Sequence, residues 1–205
     1  MENDVIFQLP FEGQWLTNWG GDTPEQNRHS GGCQKYAFDF VQTNKEGTFF
    51  RTDGKTNNDY FSFGITVVAP ADGEVIEVVD GVRDNKSGET HNYVFPGNHL
   101  LIRHDKNTFS MLAHFKLGSI VVKAGQKIKQ GDKLGLCGNS GNSSDPHIHF
   151  HVQDSDIFAK FNDTYERINV AKGKKISFEK INVSKNGKQK LLKQYSPIKD
   201  DVVSN

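Results

Sequence analysis

Alternation of apolar and polar residues dominates the middle of the chain. Residues 65–70 (Ile-Thr-Val-Val-Ala-Pro) lead into Ala71-Asp72-Gly73, and residues 74–79 (Glu-Val-Ile-Glu-Val-Val) follow. Asp-Gly between two such runs is a strong hairpin signal. Residues 99–104 and 108–115 read as a second strand pair joined by Asp105-Lys106-Asn107. In 108–115 a period of two places Ser110, Leu112 and His114 on one face, and Phe109, Met111, Ala113 and Phe115 on the other. A strand at 120–122 follows, then Ile128 and Leu134, punctuated by turns at Gly125 and Gly131-Asp132. A Gly/Asn/Ser loop, 138–144, opens into a last strand over 147–152. Nothing in residues 1–150 keeps a helical period. The predicted fold class is all-β, with two packed antiparallel sheets.

The same period appears earlier, where Tyr36, Phe38 and Phe40 alternate with Ala37 and Asp39. Three aromatics then share a face and Asp39 points the other way. A carboxylate in so apolar a strand is costly unless it is paired, and a cation is the usual partner. His29 lies ten residues earlier on a Gly-rich loop able to fold back. Residues 42–64 and 80–98 are polar and turn-rich, and read as insertions that either wall a site or are simply solvated; His91 receives no role. Beyond residue 153 the pattern predicts a short helix around 157–161, strands at 168–170 and 176–183, and a hairpin turn at Asn186-Gly187. Residues 172–193 hold eight lysines and one acid, Glu179. They read as a solvated edge whose charges discourage strand-to-strand association.

Composition narrows the class. The 205 residues carry 25 Lys+Arg against 25 Asp+Glu, so no global field would recruit nucleic acid or a membrane surface. Fifteen Phe and 20 Gly suit a loop-rich β protein with aromatic packing. No apolar run has the length of a transmembrane helix, and Met1-Glu2-Asn3-Asp4 lacks the basic and apolar regions of a signal peptide. Cys33 and Cys137 are too few for a disulfide scaffold and read as two free thiols. The chain is expected to be one domain, 1–205: an N-terminal segment to 64, a core over 65–152, and C-terminal strands with a basic tail over 153–205.

The candidate chemistry sits in Pro146-His147-Ile148-His149-Phe150-His151. Residues two apart on a strand share a face and lie about 7 Å apart. One imidazole can hold a metal there while its neighbour reaches a water or substrate. The strand alone leaves two such pairs open, 147/149 and 149/151.

Several ordered segments, taken together, resemble the lysostaphin/LytM-type zinc metalloendopeptidases, which cleave peptide bonds in peptidoglycan. They are His29 and Asp39; residues 67–75 (Val-Val-Ala-Pro-Ala-Asp-Gly-Glu-Val); residues 97–104 (Gly-Asn-His-Leu-Leu-Ile-Arg-His); Ala113-His114-Phe115; residues 122–132; and Gly138-Asn139-Ser140-Gly141 leading to Pro146-His147-Ile148-His149-Phe150. The resemblance implies that His29, Asp39 and His149 bind Zn2+ and that His114 and His147 are catalytic non-ligand histidines. It further implies an open cleft among long loops, a peptidoglycan peptide as substrate, and an extracytoplasmic location; the chain is expected to act as a monomer. Nine residues separate His29 from Asp39, where many members of the family have three. His151 stands where the family often has Glu, and Leu112 where an aromatic is common.

The residue types suit that chemistry in their own right. Two imidazoles and a carboxylate are ordinary zinc ligands and leave a fourth position for water. The sequence contains no His-Glu-x-x-His, so an imidazole, with its ordinary pKa near 6.5, must take the proton; His147 is the expected base and His114 its partner. The competing class is an inactive relative serving as a peptidoglycan-binding or regulatory module. A biotinyl or lipoyl carrier is set aside, because Met111-Leu112-Ala113-His114 offers no lysine at the central hairpin.

Overall fold

The computed structural model describes residues 5–29, 31–91, 95–156, 159–161, 167–169, 171–185 and 188–205. Its strands are β1 (Trp15–Trp19), β2 (Phe38–Val41), β3 (Thr66–Val68), β4 (Gly73–Val79), β5 (Asn98–Asp105), β6 (Thr108–Phe115), β7 (Lys127–Ile128), β8 (Lys133–Leu136), β9 (Ile148–Gln153), β10 (Ala159–Phe161), β11 (Arg167–Asn169), β12 (Phe178–Lys185), β13 (Lys188–Tyr195) and β14 (Val202–Ser204). Two 3-10 turns, Gly32–Gln34 and Asn57–Asp59, are the helical pieces among the described residues. The chain is all-β and its strands pair antiparallel.

The sheets are unequal. Ten strands form one sheet in the order β13-β12-β14-β1-β2-β9-β6-β5-β4-β7, while β3–β8 and β10–β11 are two-stranded ribbons. Cross-strand registers assign the faces of the large sheet. Phe38 lies opposite Phe150 and Phe40 opposite Ile148, while Leu112 lies opposite both Phe150 and Leu100. These side chains form the core together with Val67 of β3, Leu134 of β8, and the N-terminal Phe7, Leu9, Phe11 and Trp15. The β3–β8 ribbon is thus the layer that covers the apolar face. Phe150 is fully buried between Phe38, at 6.3 Å between ring centroids, and Phe7 and Phe178, each at 6.1 Å.

Several local expectations change. The turn at Asp72-Gly73 closes no hairpin, because β3 pairs with β8 while β4 pairs with β5 and β7 in the large sheet. Tyr36 lies outside β2, half-buried in the turn after Gly32–Gln34, so two aromatics of the strand share the core face instead of three. Residues 120–122 make no strand, although Val121 N–H still donates to the Leu134 carbonyl at 2.9 Å. Residues 159–161, expected within a short helix, form β10, which pairs with β11; residues 157, 158 and 170 and the Asn186-Gly187 turn lie outside the described residues. The expected strand 176–183 runs over 178–185. In the β12–β13 hairpin Lys180 opposes Lys193 and Lys185 opposes Lys188, on a largely exposed edge strand. β13 ends the sheet, and its Lys188, Lys190 and Lys193 charge that edge, which discourages pairing with a further strand.

Phe150→Ala should lower the unfolding free energy by about 3–5 kcal/mol, the usual cost of removing a buried ring, as read from urea denaturation. A loss under about 1 kcal/mol, the range of exposed positions, would mean that the aromatic layer does not hold the sheet together.

Candidate metal centre

Directly opposite residues on paired strands share a face, and one such pair builds the site. Asp39 of β2 stands opposite His149 of β9, and His149 stands opposite Ala113 of β6. All three lie on the face away from the aromatic core. His149 Nδ1 is 2.9 Å from Asp39 Oδ1. His147 Nε2 approaches the same oxygen at 3.6 Å. On the other carboxylate oxygen, Oδ2, His29 Nε2 lies at 3.5 Å and the half-exposed Arg28 guanidinium at 3.4 Å. Burial on its own would raise the Asp39 carboxyl. The histidines 147, 29 and 149 around it outweigh burial and hold it well below the usual carboxylate range.

His29 comes from a loop, and Asn27 is what aims it. Its side-chain amide donates to the carbonyls of Gly21 and Ala37 at 3.1 and 3.0 Å. Asn27 Oδ1 then accepts from the His29 backbone N–H at 3.1 Å and lies 2.7 Å from His29 Nδ1. With Nδ1 used as the donor to that oxygen, Nε2 is the nitrogen turned to Asp39. The return of the loop is fixed where Gly173 N–H donates to the Gly32 carbonyl at 3.0 Å. A Cβ on Gly173 would sit 2.7 Å from the Cys33 carbonyl, so the close approach of these backbones needs glycine. The nine-residue gap between His29 and Asp39 is taken up by this pinned loop. No bridge joins Cys33 to Cys137, and Cys137 is a buried thiol.

His114 is where the simple alternation fails. Asn98 pairs with Phe115 but His99 with Ala113, so His114 is the extra residue of a β-bulge, with φ +68°. Bulges re-aim side chains beside functional sites, and this one breaks the face shared with Ser110 and Leu112. Phe115 drops into the core beside Leu112, while His114 turns to the cleft, its ring centroid 4.7 Å from that of His147 and 5.8 Å from that of His149. A non-glycine residue at positive φ costs of order 1–3 kcal/mol and persists only where its surroundings impose it. Here His114 Nδ1 lies 2.8 Å from the Ser140 carbonyl, and the His114 carbonyl accepts from Gly138 N–H at 3.0 Å.

His147 is set the same way, its Nδ1 2.8 Å from the Asp145 carbonyl and 3.1 Å from Ser143 Oγ. Each ring thus spends Nδ1–H on a backbone carbonyl and turns Nε2 to the cleft. Burial, the main cause, pushes His147 below its ordinary value and His114 well below, and likewise holds His29 at about 4. The polar insertions brace this loop. Tyr60 OH donates to Asp145 Oδ1 at 2.6 Å, Asn139 Nδ2 donates to Asn57 Oδ1 at 3.0 Å, and Asn85 Nδ2 donates to the carbonyls of Gly141 and Ser143 at 2.7 Å each. Thr90 and Phe95 line the resulting cleft, of about 380 Å³, opposite Arg28 and Gln34. The stretch 80–98 therefore lends Thr90, Phe95 and Pro96 to the cleft wall, while 42–64 braces the loop through Asn57 and Tyr60.

The donor set suits a divalent ion. One ligand atom each from His29, Asp39 and His149 lies within 4.8 Å of the others, and two imidazoles with a buried carboxylate are a common zinc triad. All five residues singled out in the sequence meet in this cleft. His151 lies behind His149, its Nδ1 2.9 Å from His149 Nε2; burial, which disfavours the imidazolium, lowers its pKa to about 3. Asn27 and Gln153 were not anticipated. The signal for Gln153 was the period of two itself, which extends the ladder His147, His149, His151 by one step.

A histidine and carboxylate cluster in a cleft on an antiparallel sheet defines a candidate metallohydrolase site. The chain belongs to Peptidase family M23, whose family profile matches residues 57–163. That stretch contains His114, His147 and His149; His29 and Asp39 precede it. Peptidoglycan DD-endopeptidase ShyA of Vibrio cholerae is 36% identical over 90 residues, 42% of this chain and 20% of that protein. The chain therefore spans about a fifth of that relative's length. A zinc-containing peptidase from Vibrio cholerae superposes with TM-score 0.42 at 24% identity, covering 72% of this chain and 36% of the other. The catalytic domain of lysostaphin from Staphylococcus simulans gives TM-score 0.41 at 18% identity, covering 77% and 88%.

Asp39→Ala or His149→Ala should abolish stoichiometric zinc, measured by metal analysis of dialysed protein. One equivalent of zinc retained by either variant would remove that residue from the ligand set.

Proposed function

We propose that this chain is a zinc-dependent endopeptidase that hydrolyses peptide bonds in the stem peptides or cross-bridges of peptidoglycan, at the cell envelope. One observation above all supports the reading. Three donors able to hold a metal and two further imidazoles with inward-facing Nε2 atoms share one walled cleft in a member of a peptidase family. The name of the relative ShyA, a peptidoglycan DD-endopeptidase, supports the substrate class.

His29, Asp39 and His149 would hold the ion, which when bound supplies Lewis acidity toward a peptide carbonyl and a water acidic near neutral pH. The chain's own part is proton handling. His147 and His114 are kept neutral by burial, and with Nδ1–H committed to a carbonyl each offers Nε2 as an acceptor. His147, whose Nε2 is 3.6 Å from Asp39, is the general base. It takes a proton from the attacking water as oxygen bonds to the carbonyl carbon. The imidazolium so formed, stabilised by the Asp39 carboxylate, returns that proton to the leaving nitrogen as the C–N bond breaks. His114, in ring contact with His147, shares the proton and steadies the charge on the tetrahedral adduct. Arg28, half-exposed in the cleft lining and 3.4 Å from Asp39, is a cation within reach of a substrate carboxylate.

His114→Ala and His147→Ala should keep one equivalent of zinc yet lose about 10²–10⁴-fold in turnover, the usual contribution of general acid–base catalysis. Purified sacculi and a pentaglycine peptide, followed by mass spectrometry for new amino termini, give the readout. Binding to sacculi with no new termini from the zinc-loaded parent would point instead to a binding module. Full turnover in either variant would take that histidine out of the mechanism.

A further inference from the structure

Behind the cluster, the polar face of β9 continues as a hydrogen-bonded line of fully buried side chains. His149 Nε2 lies 2.9 Å from His151 Nδ1, and His151 Nε2 lies 2.9 Å from Gln153 Oε1. Gln153 Nε2 donates to the Ser155 carbonyl at 2.6 Å. His151 and Gln153 are 1% and 0% exposed, so water does not offer these groups an alternative.

The line has a direction, and its last member sets it. A backbone carbonyl only accepts, so the Gln153 atom facing Ser155 is the amide nitrogen and the atom facing His151 is the oxygen. That oxygen accepts, hence His151 carries its proton on Nε2 and presents a bare Nδ1. A bare Nδ1 accepts in turn, hence His149 carries its proton on Nε2. His149 Nδ1 is left as a lone pair aimed at the space beside Asp39 Oδ1, 2.9 Å away. Two electron-pair donors facing one space are an arrangement that a cation satisfies.

We propose that His151 and Gln153 are positioning residues that fix His149 in its metal-binding tautomer through a hydrogen-bond relay anchored on the Ser155 carbonyl. The proposal rests on reading His149 as a ligand. Outer-shell partners of this kind set ring orientation and ligand basicity, and their loss typically weakens metal affinity 10–100-fold. A carboxylate at position 151 could accept from His149 Nε2 directly, which separates the relay from mere filling of space.

Two measurements test it. In metal-free protein labelled with 15N-histidine, long-range imidazole correlations should show the His149 proton on Nε2 and the Nδ1 signal of an unprotonated nitrogen. A proton on Nδ1 overturns the relay without any variant being made. Zinc affinity by chelator competition should then fall 10–100-fold in His151→Phe, fall in Gln153→Leu, and return to the parent value in His151→Glu. Parent-like affinity in His151→Phe overturns the proposal while leaving His149 a ligand. Loss of all discrimination, with His149→Ala binding zinc as the parent does, refutes instead the ligand reading beneath it. Should His151→Phe fail to fold, the tautomer measurement on the parent decides.

Discussion

The site depends on one cross-strand pair, Asp39 facing His149. A buried carboxylate is tolerated only among groups that compensate its charge; here the Arg28 guanidinium lies 3.4 Å from it, and the proposed ion, shared with His29 and His149, would supply the rest. The pair also ties function to register. Side chains on a strand alternate with a period of two, so a slip of one residue in β2 would carry Asp39 into the layer of Phe150 and expose Phe38 and Phe40 on the cleft side. The aromatic core thus enforces the alignment that the candidate metal site needs. One constraint serves stability and chemistry together, which is why an acid can persist in so apolar a strand.

Alternation supplies His147, His149 and His151 from one strand and Asp39 from the next, but a flat sheet cannot deliver His114. Strict alternation would bury it beside Leu112. The bulge resolves the conflict by inserting a residue at positive φ, which sends Phe115 to the core and His114 to the cleft. The local strain is held by contacts with Gly138 and Ser140. The same Gly/Asn/Ser loop orients His147 through Ser143 and Asp145. Both proposed proton carriers are therefore aimed by one loop, and the two polar insertions hydrogen-bond to it.

Much of this was legible in the sequence. The all-β class, the β4, β5, β6 and β9 strands, and the opposite facing of Asp39 and the aromatics follow from period-two patterning, while the five residues that meet in the cleft were singled out by the resemblance that the ordered motifs carry. What was not legible depends on long-range backbone geometry. The bulge at His114 arises from pairing with Asn98 and His99, which no pattern within β6 encodes. Tyr36 continues the aromatic alternation, yet the 3-10 turn over Gly32–Gln34 and the backbone contact of Gly32 with Gly173 keep it out of the strand. Residues 159–161 form a strand where a helix was expected, because pairing with β11 outweighs a weak local preference. Asn27 is an ordinary loop residue until the fold sets the carbonyls of Gly21 and Ala37 beside it.

The family match and the site do not coincide, and the sheet order explains how they fit together. The matched stretch, 57–163, supplies His114, His147 and His149, while His29 and Asp39 reach the cleft because β2 adds to the edge of β9. Left as an edge, β2 would be held from one side alone, by β9. It is backed by β1, β1 by β14, and β14 by β12, so strands from the far end of the sequence secure a strand from the near end. Trp19 marks the junction: it pairs with Asp39, its ring lies under the Lys199 ammonium at 4.2 Å and the Arg28 guanidinium at 5.6 Å, and the neighbouring Gly20 carbonyl accepts from Lys199 N–H at 3.0 Å. The C-terminal strands, remote from the cleft, thereby act on it by fixing the strand that carries its carboxylate.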